Sequence, residues 1–329
     1  MAHRPRPQPP STSRLAARPH RCRPVLVSVI AGLLALLSFP SVAGASPTTG
    51  DPTAGLAARI NVVAAENFWG SIVKQLAGSH ATVTSIITKP ATDPHSYEAT
   101  PSDSRAIAGA NYVIVNGIGY DPWAQHALDA SPSSGRRVLV VGDLLGLHDG
   151  DNPHQWYSPA SVETFIAHVT TDLRRLDPRD APAFDALRTQ FEAVGLQQYH
   201  AVIAAIRQKY AGTPVGASES IVSPLAAILG LKLLTPPSFL KAIAEGTDPS
   251  AAEKETVDQQ VKAKQIKAFV FNAQNSTPDV QAVVQQATAH AIPVTTVTET
   301  LAPANATFQA WQVKELRALQ AALAKATGS

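Results

Sequence analysis

The chain has 329 residues, 45% of them hydrophobic, with a formal charge of +2 and a single cysteine, enough material for two domains with cores of their own. The first 45 residues hold six arginines and no acid. Taking those six from the 27 basic residues leaves 21 against 25 acidic ones, a balance of −4 that argues against nucleic acid as a partner. The lone cysteine, Cys22, falls in that same segment, so the remainder has no thiol for a disulfide framework, a thiolate zinc site or a cysteine nucleophile.

In chain order, an Arg- and Pro-rich stretch to Arg23 is followed by an apolar run, Val25–Phe39, and by SVAGAS, with Ala43 and Ala45 as the small residues of an A-x-A site. Residues 1–45 read as a secretory signal peptide. The run is too short for a comfortable membrane span. The protein is therefore expected outside the cytoplasm, in a periplasm-like space, at the cell surface or secreted. Cys22 precedes the apolar run, so no lipobox is found. Residues 46–57, SPTTGDPTAGLA, read as a flexible tether.

From Arg59 the pattern predicts a strand over Ile60–Ala64 and a helix with Phe68, Ile72, Val73 and Leu76 on one stripe. A strand follows at Ala81–Thr88, then a loop with His95, a helix from about Pro101, a strand at Asn111–Gly117, a further helix and the strand RRVLVVG. Such alternation calls for a parallel sheet with right-handed crossovers. Ser158 to about Arg175 is helical, DPRDAP interrupts, and Ala183–Tyr210 reads as a long helix with a single Gly195, a stiff connector between lobes. The alternation then resumes: strands in TPVGA, LKLLT, KAFVFN and IPVTTVT, helices at Ser223–Leu229, after GTDPS with Thr247 or Asp248 as cap, in VQAVVQQATAH, and from about Asn305 to Ala326. The fold class is α/β in two lobes, each a mainly parallel sheet flanked by helices, joined by a long rigid connecting helix. The expected boundaries are 58–178 for the first lobe, 179–211 for the connector and 212–329 for the second lobe.

His95, His154, Glu219 and Glu299 each follow the carboxyl end of a predicted strand, where ligands of parallel sheets gather. Gaps of 59, 65 and 80 residues exclude a local metal motif and suit a site assembled across a cleft. Two imidazoles and two carboxylates suit Zn²⁺, Mn²⁺ or Fe²⁺, and four protein ligands favour holding a metal over catalysis. Blander roles stand beside this reading. His80, His126, His168, His200 and His290 read as surface or hydrogen-bonded residues. Glu219 alone reads as a helix cap or first-turn carboxylate, and Glu299 alone as a solvated loop charge. Asp93, Glu98, Asp143, His148 and Asp151 are near enough in sequence to assist or replace a ligand. The tryptophans read as core and cleft packing. No G-x-S-x-G, Walker or H-E-x-x-H pattern is present.

These residues resemble a known family, the solute-binding proteins of zinc and manganese ABC importers, from about Arg59 to the C-terminus. DPHSYEATPSD resembles the motif of the first ligand, at His95; NPHQWYSP resembles the NPHxW motif, at His154; SESIVSPLAAILGL resembles the segment of the third, at Glu219. TETL puts Glu299 where the family usually has Asp. The His-rich loop of many zinc-specific members is missing, and Glu219 stands where zinc-type members often have His, which keeps manganese and iron beside zinc. The resemblance implies a monomeric, non-enzymatic receptor that passes a divalent metal to a membrane permease driven by a cytoplasmic ATPase. The competing readings are a receptor for a chelated metal or siderophore, and a secreted metallohydrolase.

Overall fold

The computed structural model describes residues 59–90, 92 and 94–328, with the backbone alone at His95. The expected signal peptide and tether, and Asp93, lie outside the described residues.

The first half runs β1 (Ile60–Glu66), α1 (Asn67–Ala77), β2 (Ala81–Ile87), a 3-10 turn at Pro94–Ser96, α2 (Pro101–Ala108), β3 (Tyr112–Val115), α3 (Pro122–Asp129), β4 (Arg137–Val140), α4 (Val141–Leu145), a second 3-10 turn at Gln155–Tyr157, and α5 (Pro159–Leu176). Its strands form one parallel sheet in the order β2-β1-β3-β4. Residues of β1 alternate between two cores: Ile60, Val62 and Ala64 face one, Val63 and Ala65 the other, the period of two that a sheet covered on both faces requires. The helix over Pro101–Ala108 starts where Thr100 and Asp103 exchange hydrogen bonds in a capping box, which leaves the backbone before it in loop form.

The second half comprises a 3-10 turn at Pro178–Asp180, α6 (Ala181–Gln190), a π-turn at Phe191–Gly195, α7 (Gln197–Tyr210), β5 (Pro214–Ala217), a 3-10 turn at Ser220–Val222, α8 (Ser223–Leu229), β6 (Lys232–Leu233), α9 (Pro237–Ala244), α10 (Ala251–Lys262), β7 (Ala268–Asn272), α11 (Pro278–Ala289), β8 (Val294–Val297) and α12 (Phe308–Thr327). Its parallel sheet has the order β6-β5-β7-β8, the same order as the first.

Three details differ from the sequence expectation. The long helix is two α-helices joined by the π-turn that contains Gly195. The cap of α10 is Ser250, paired with Glu253 in a capping box, and not Thr247 or Asp248. Two short helices, α4 and α9, emerge where no helix is expected: the apolar run VLVV stops being a strand at Val140, and α9 starts at the second of two consecutive prolines, with Pro236 as its cap. One hydrophobic cluster extends from Val62 and Trp69 of the first half through Tyr199 and Ile206 of α7 to Val270 and Leu316 of the second. The two sheets thus share a core, a packing that opposes wide opening between them.

Candidate metal centre

The geometry of the second sheet creates the site. Strand β7 lies between β5 and β8, so Asn272 at its end stands between Glu219, two residues past β5, and Glu299, two residues past β8. The Asn272 amide nitrogen donates to Glu219 Oε1 at 2.9 Å and to Glu299 Oε1 at 2.7 Å. Asn275 donates to Glu219 Oε2 at 2.8 Å. Glu219 is fully buried and makes no capping hydrogen bond to the turn behind it; Glu299 is fully buried too, so neither plays its bland role.

The first half supplies the imidazole. His154, fully buried, follows Pro153 and opens the turn at Gln155–Tyr157. Asn152 Oδ1 accepts from the His154 backbone N–H at 3.0 Å and lies 2.9 Å from its Nδ1. An oxygen held by that N–H can only accept, so the ring hydrogen belongs on Nδ1, and Nε2 keeps its lone pair for the centre. Nε2 lies 3.7 Å from Glu219 Oε1. One atom each from His154, Glu219 and Glu299 falls within 4.8 Å of the others. Among the described residues this is the one group of three or more His, Cys, Asp or Glu side chains that close.

Aromatic rings wall the imidazole. Trp156 stacks on Phe68 at 3.9 Å and meets His154 edge-on at 5.2 Å, while Tyr120 meets it edge-on at 6.1 Å. The Tyr120 hydroxyl donates to Glu299 Oε2 at 2.7 Å; burial first, then the charges of Glu299, Glu66 and Glu219, push its pKa well above the usual tyrosine range. Tyr120 is presented by a loop with Gly117, Ile118 and Gly119 all at positive φ. Ile118, a β-branched residue in that region, marks a strained turn. Beside it, burial and then Asp121 hold the Glu66 carboxyl well above its ordinary pKa.

His95 sits in the 3-10 turn at Pro94–Ser96 after β2; its side chain lies outside the described residues. Its loop is anchored to the second half by Gln274, which donates to the Thr92 carbonyl at 2.8 Å and accepts from Thr300 N–H at 2.9 Å. Of the candidate auxiliaries, Asp151 accepts from the His148 backbone, and neither belongs to the close group. His80 pairs with Asp180 at 2.6 Å, His168 lies near Asp172 and His200 near Glu163. Sequence reasoning missed Tyr120, Asn152, Asn272, Asn275 and Glu66. Only Asn152 and Asn272 carried a signal, one inside the NPH motif and the other at the end of a predicted strand.

A cavity of about 500 Å³, lined by Ile118, Asn152, Pro153, Ser220, Leu240 and Lys241 among others, lies between residues of the two halves. It adjoins the centre at Asn152 and Ser220, which are joined by a hydrogen bond from Asn152 Nδ2 to the Ser220 carbonyl at 2.8 Å. Chemically, a buried imidazole nitrogen and two carboxylates held by neutral donors make a hard-to-borderline pocket that a divalent cation would neutralise.

Two parallel sheets of equal order, closed over a buried imidazole and two carboxylates, define a bilobal α/β binding protein. The chain belongs to the family described as zinc-uptake complex component A, periplasmic, whose model matches residues 62–322. The manganese-binding lipoprotein MntA of Halalkalibacterium halodurans is 29% identical over 130 residues, 39% of this chain and 43% of that protein. The iron-binding protein YfeA of Yersinia pestis is 24% identical over 213 residues, 61% of this chain and 67% of that protein. The zinc uptake protein ZnuA of Paracoccus denitrificans is 24% identical over 158 residues, 36% and 48%. The chain thus aligns with about half the length of several of these relatives. Among solved structures, a Mn-bound periplasmic metal binding protein (S38A mutant) from candidatus Liberibacter asiaticus shares the fold at a TM-score of 0.67 and 20% identity, covering 80% of this chain and all of that one. The binding protein FpvC of P. aeruginosa, solved with Ni²⁺, has a TM-score of 0.65 at 21% identity, covering 81% of this chain and 97% of its own.

Proposed function

We propose that the protein is an extracytoplasmic receptor that captures a divalent transition metal, Zn²⁺ first and Mn²⁺ or Fe²⁺ next, and hands it to an ABC permease with its cytoplasmic ATPase. His95, His154, Glu219 and Glu299 are the proposed ligands. The observation that carries this reading is the convergence of His154, Glu219 and Glu299 within 4.8 Å in a buried pocket. The relatives named for manganese, iron and zinc support the ligand class. Four protein ligands fill a tetrahedral shell, where a hydrolytic zinc keeps a position for water, so binding is favoured over metallohydrolase chemistry. Glu299 in place of Asp adds one methylene of reach, and Tyr120 and Asn272 take up that reach by gripping both of its oxygens.

The test is titration of the protein starting at Ser46, stripped by chelator, with Zn²⁺, Mn²⁺ and Fe²⁺, beside His95→Ala and Glu219→Ala. One tight site, lost in both variants, is the expected result. No tight site for any free ion would end this reading. The mainly apolar cavity beside Asn152 and Ser220 favours one second reading, a receptor for a chelated metal, which the same titration would select if chelates bind and free ions do not.

A further inference from the structure

Glu315 of α12 is nearly buried and lies outside the group of close metal-ligating side chains, yet its carboxylate touches both loops that lead to the centre. Its Oε2 lies 2.6 Å from the hydroxyl of Tyr157, three residues past His154. Its Oε1 accepts from the backbone N–H of Thr298, one residue before Glu299, at 3.0 Å, and lies 2.9 Å from the Thr298 hydroxyl and 2.8 Å from the Trp311 indole nitrogen. The Tyr157 hydroxyl is also 2.8 Å from the Thr298 carbonyl. A hydroxyl has one hydrogen to give. With Glu315 ionised, Tyr157 donates to it; with Glu315 protonated, the carboxyl donates to Tyr157, which then donates to Thr298.

We infer that Glu315 is a positioning residue for the metal centre: through Tyr157 and Thr298 it ties the loop bearing His154 to the loop bearing Glu299 and so sets the spacing of two ligands from opposite halves. This role rests on the proposed function. The carboxylate has reason to respond to the centre. Burial raises its pKa to about 7 against the pull of Tyr157, Thr298 and Trp311, and the charge of Glu299 is felt at Tyr157. A cation at the centre favours the ionised form of a nearby carboxylate. Glu315 also borders a surface cleft between β8 and α12, lined by Thr296, Thr298 and Lys314, through which protons can exchange.

The experiment measures Zn²⁺ affinity, by competition with a chelating dye between about pH 6 and 8, together with melting temperature, for the wild type, Glu315→Gln and Tyr157→Phe. The expected result is affinity weakened about tenfold or more at pH 8 in both variants, the usual scale for groups behind a ligand. The plot of log Kd against pH should be shallower in Glu315→Gln than in the wild type. Tyr157→Phe cuts the same link from the other side and keeps the test decisive if Glu315→Gln folds poorly. Affinity within twofold of wild type and an unchanged slope, even with a lowered melting temperature, would make Glu315 a purely structural residue and overturn the role. A wild type that binds no Zn²⁺, Mn²⁺ or Fe²⁺ would overturn the proposed function and this role with it.

Discussion

Tyr120 and Glu299, one from each half of the chain, are joined by a 2.7 Å hydrogen bond between two fully buried groups. The hydroxyl holds Oε2 of Glu299 while the Asn272 amide holds Oε1, so two donors from different halves fix the orientation of the carboxylate. Replacing Tyr120 by Phe removes the donor and keeps the ring against His154 and Trp156. Metal affinity is expected to fall about tenfold, and the melting temperature of chelator-treated protein to fall as well, because a buried carboxylate loses a donor. An unchanged Kd by calorimetry would show that the hydroxyl does not orient the ligand.

Asn272 holds two carboxylates with one amide. Asn272→Ala leaves both short of a donor, and removing a partner from buried charged groups costs about 3 kcal/mol or more. The loss in stability should be largest in chelator-treated protein and shrink when Zn²⁺ is added, since a cation replaces what the amide did. Melting curves with and without Zn²⁺ check this, and equal losses in the two would refute it.

The pH dependence of stability follows from carboxyls that burial pushes upward: Glu315 to about 7, with Glu66 and Asp121 also raised. A raised acid binds more protons in the folded than in the unfolded chain between its two pKa values, so stability falls as pH rises through that window. For Glu315 the window runs from about 4.5 to about 7, and the contribution present below it is gone above it. Chelator-treated protein should therefore be more stable to urea at about pH 6 than at pH 8, and Glu315→Gln should flatten that slope. Metal affinity is expected to run the other way, because the ligands must be deprotonated to bind.

Glu66 tests the same physics at one residue. Its carboxyl is fully buried beside Asp121, and burial first, then the charge of Asp121, raise its pKa. Glu66→Gln puts an amide that cannot ionise in place of a carboxyl whose pKa is raised, so the stability of the variant should fall less steeply with rising pH than that of the wild type. A steeper fall in the variant, measured by urea unfolding across the same pH range, would refute it.

Much of this was legible in the sequence for identifiable reasons. The strands read correctly because a parallel sheet buries both faces and leaves apolar runs such as YVIV. Glu219 and Glu299 could be named because each stands just past such a run, and His154 because of its Pro-His loop and the NPHxW pattern around it. What could not be read is what faces them. Asn272 reaches both carboxylates only because β7 lies between β5 and β8, a lateral order absent from the linear pattern. Tyr120 reaches Glu299 across 179 residues. Gly195 was visible, but nothing local showed that the chain would take a wider turn around it.

That wider turn has a mechanical consequence. α6 packs on α1 and α5 of the first half, and α7 on α12 and α8 of the second, so one rod serves two partners at different angles about its axis. The turn at Phe191–Gly195 holds one residue more than a regular α-helical turn, and each residue advances the helix by about 100°. The extra residue is a phase setting between the halves. Deleting exposed Val194 would leave an ordinary helix with stronger local geometry, yet it would swing the Tyr199, Val202 and Ile206 stripe of α7 out of alignment with α12. The protein would lose the pocket of His154, Glu219 and Glu299 without losing any atom that touches it.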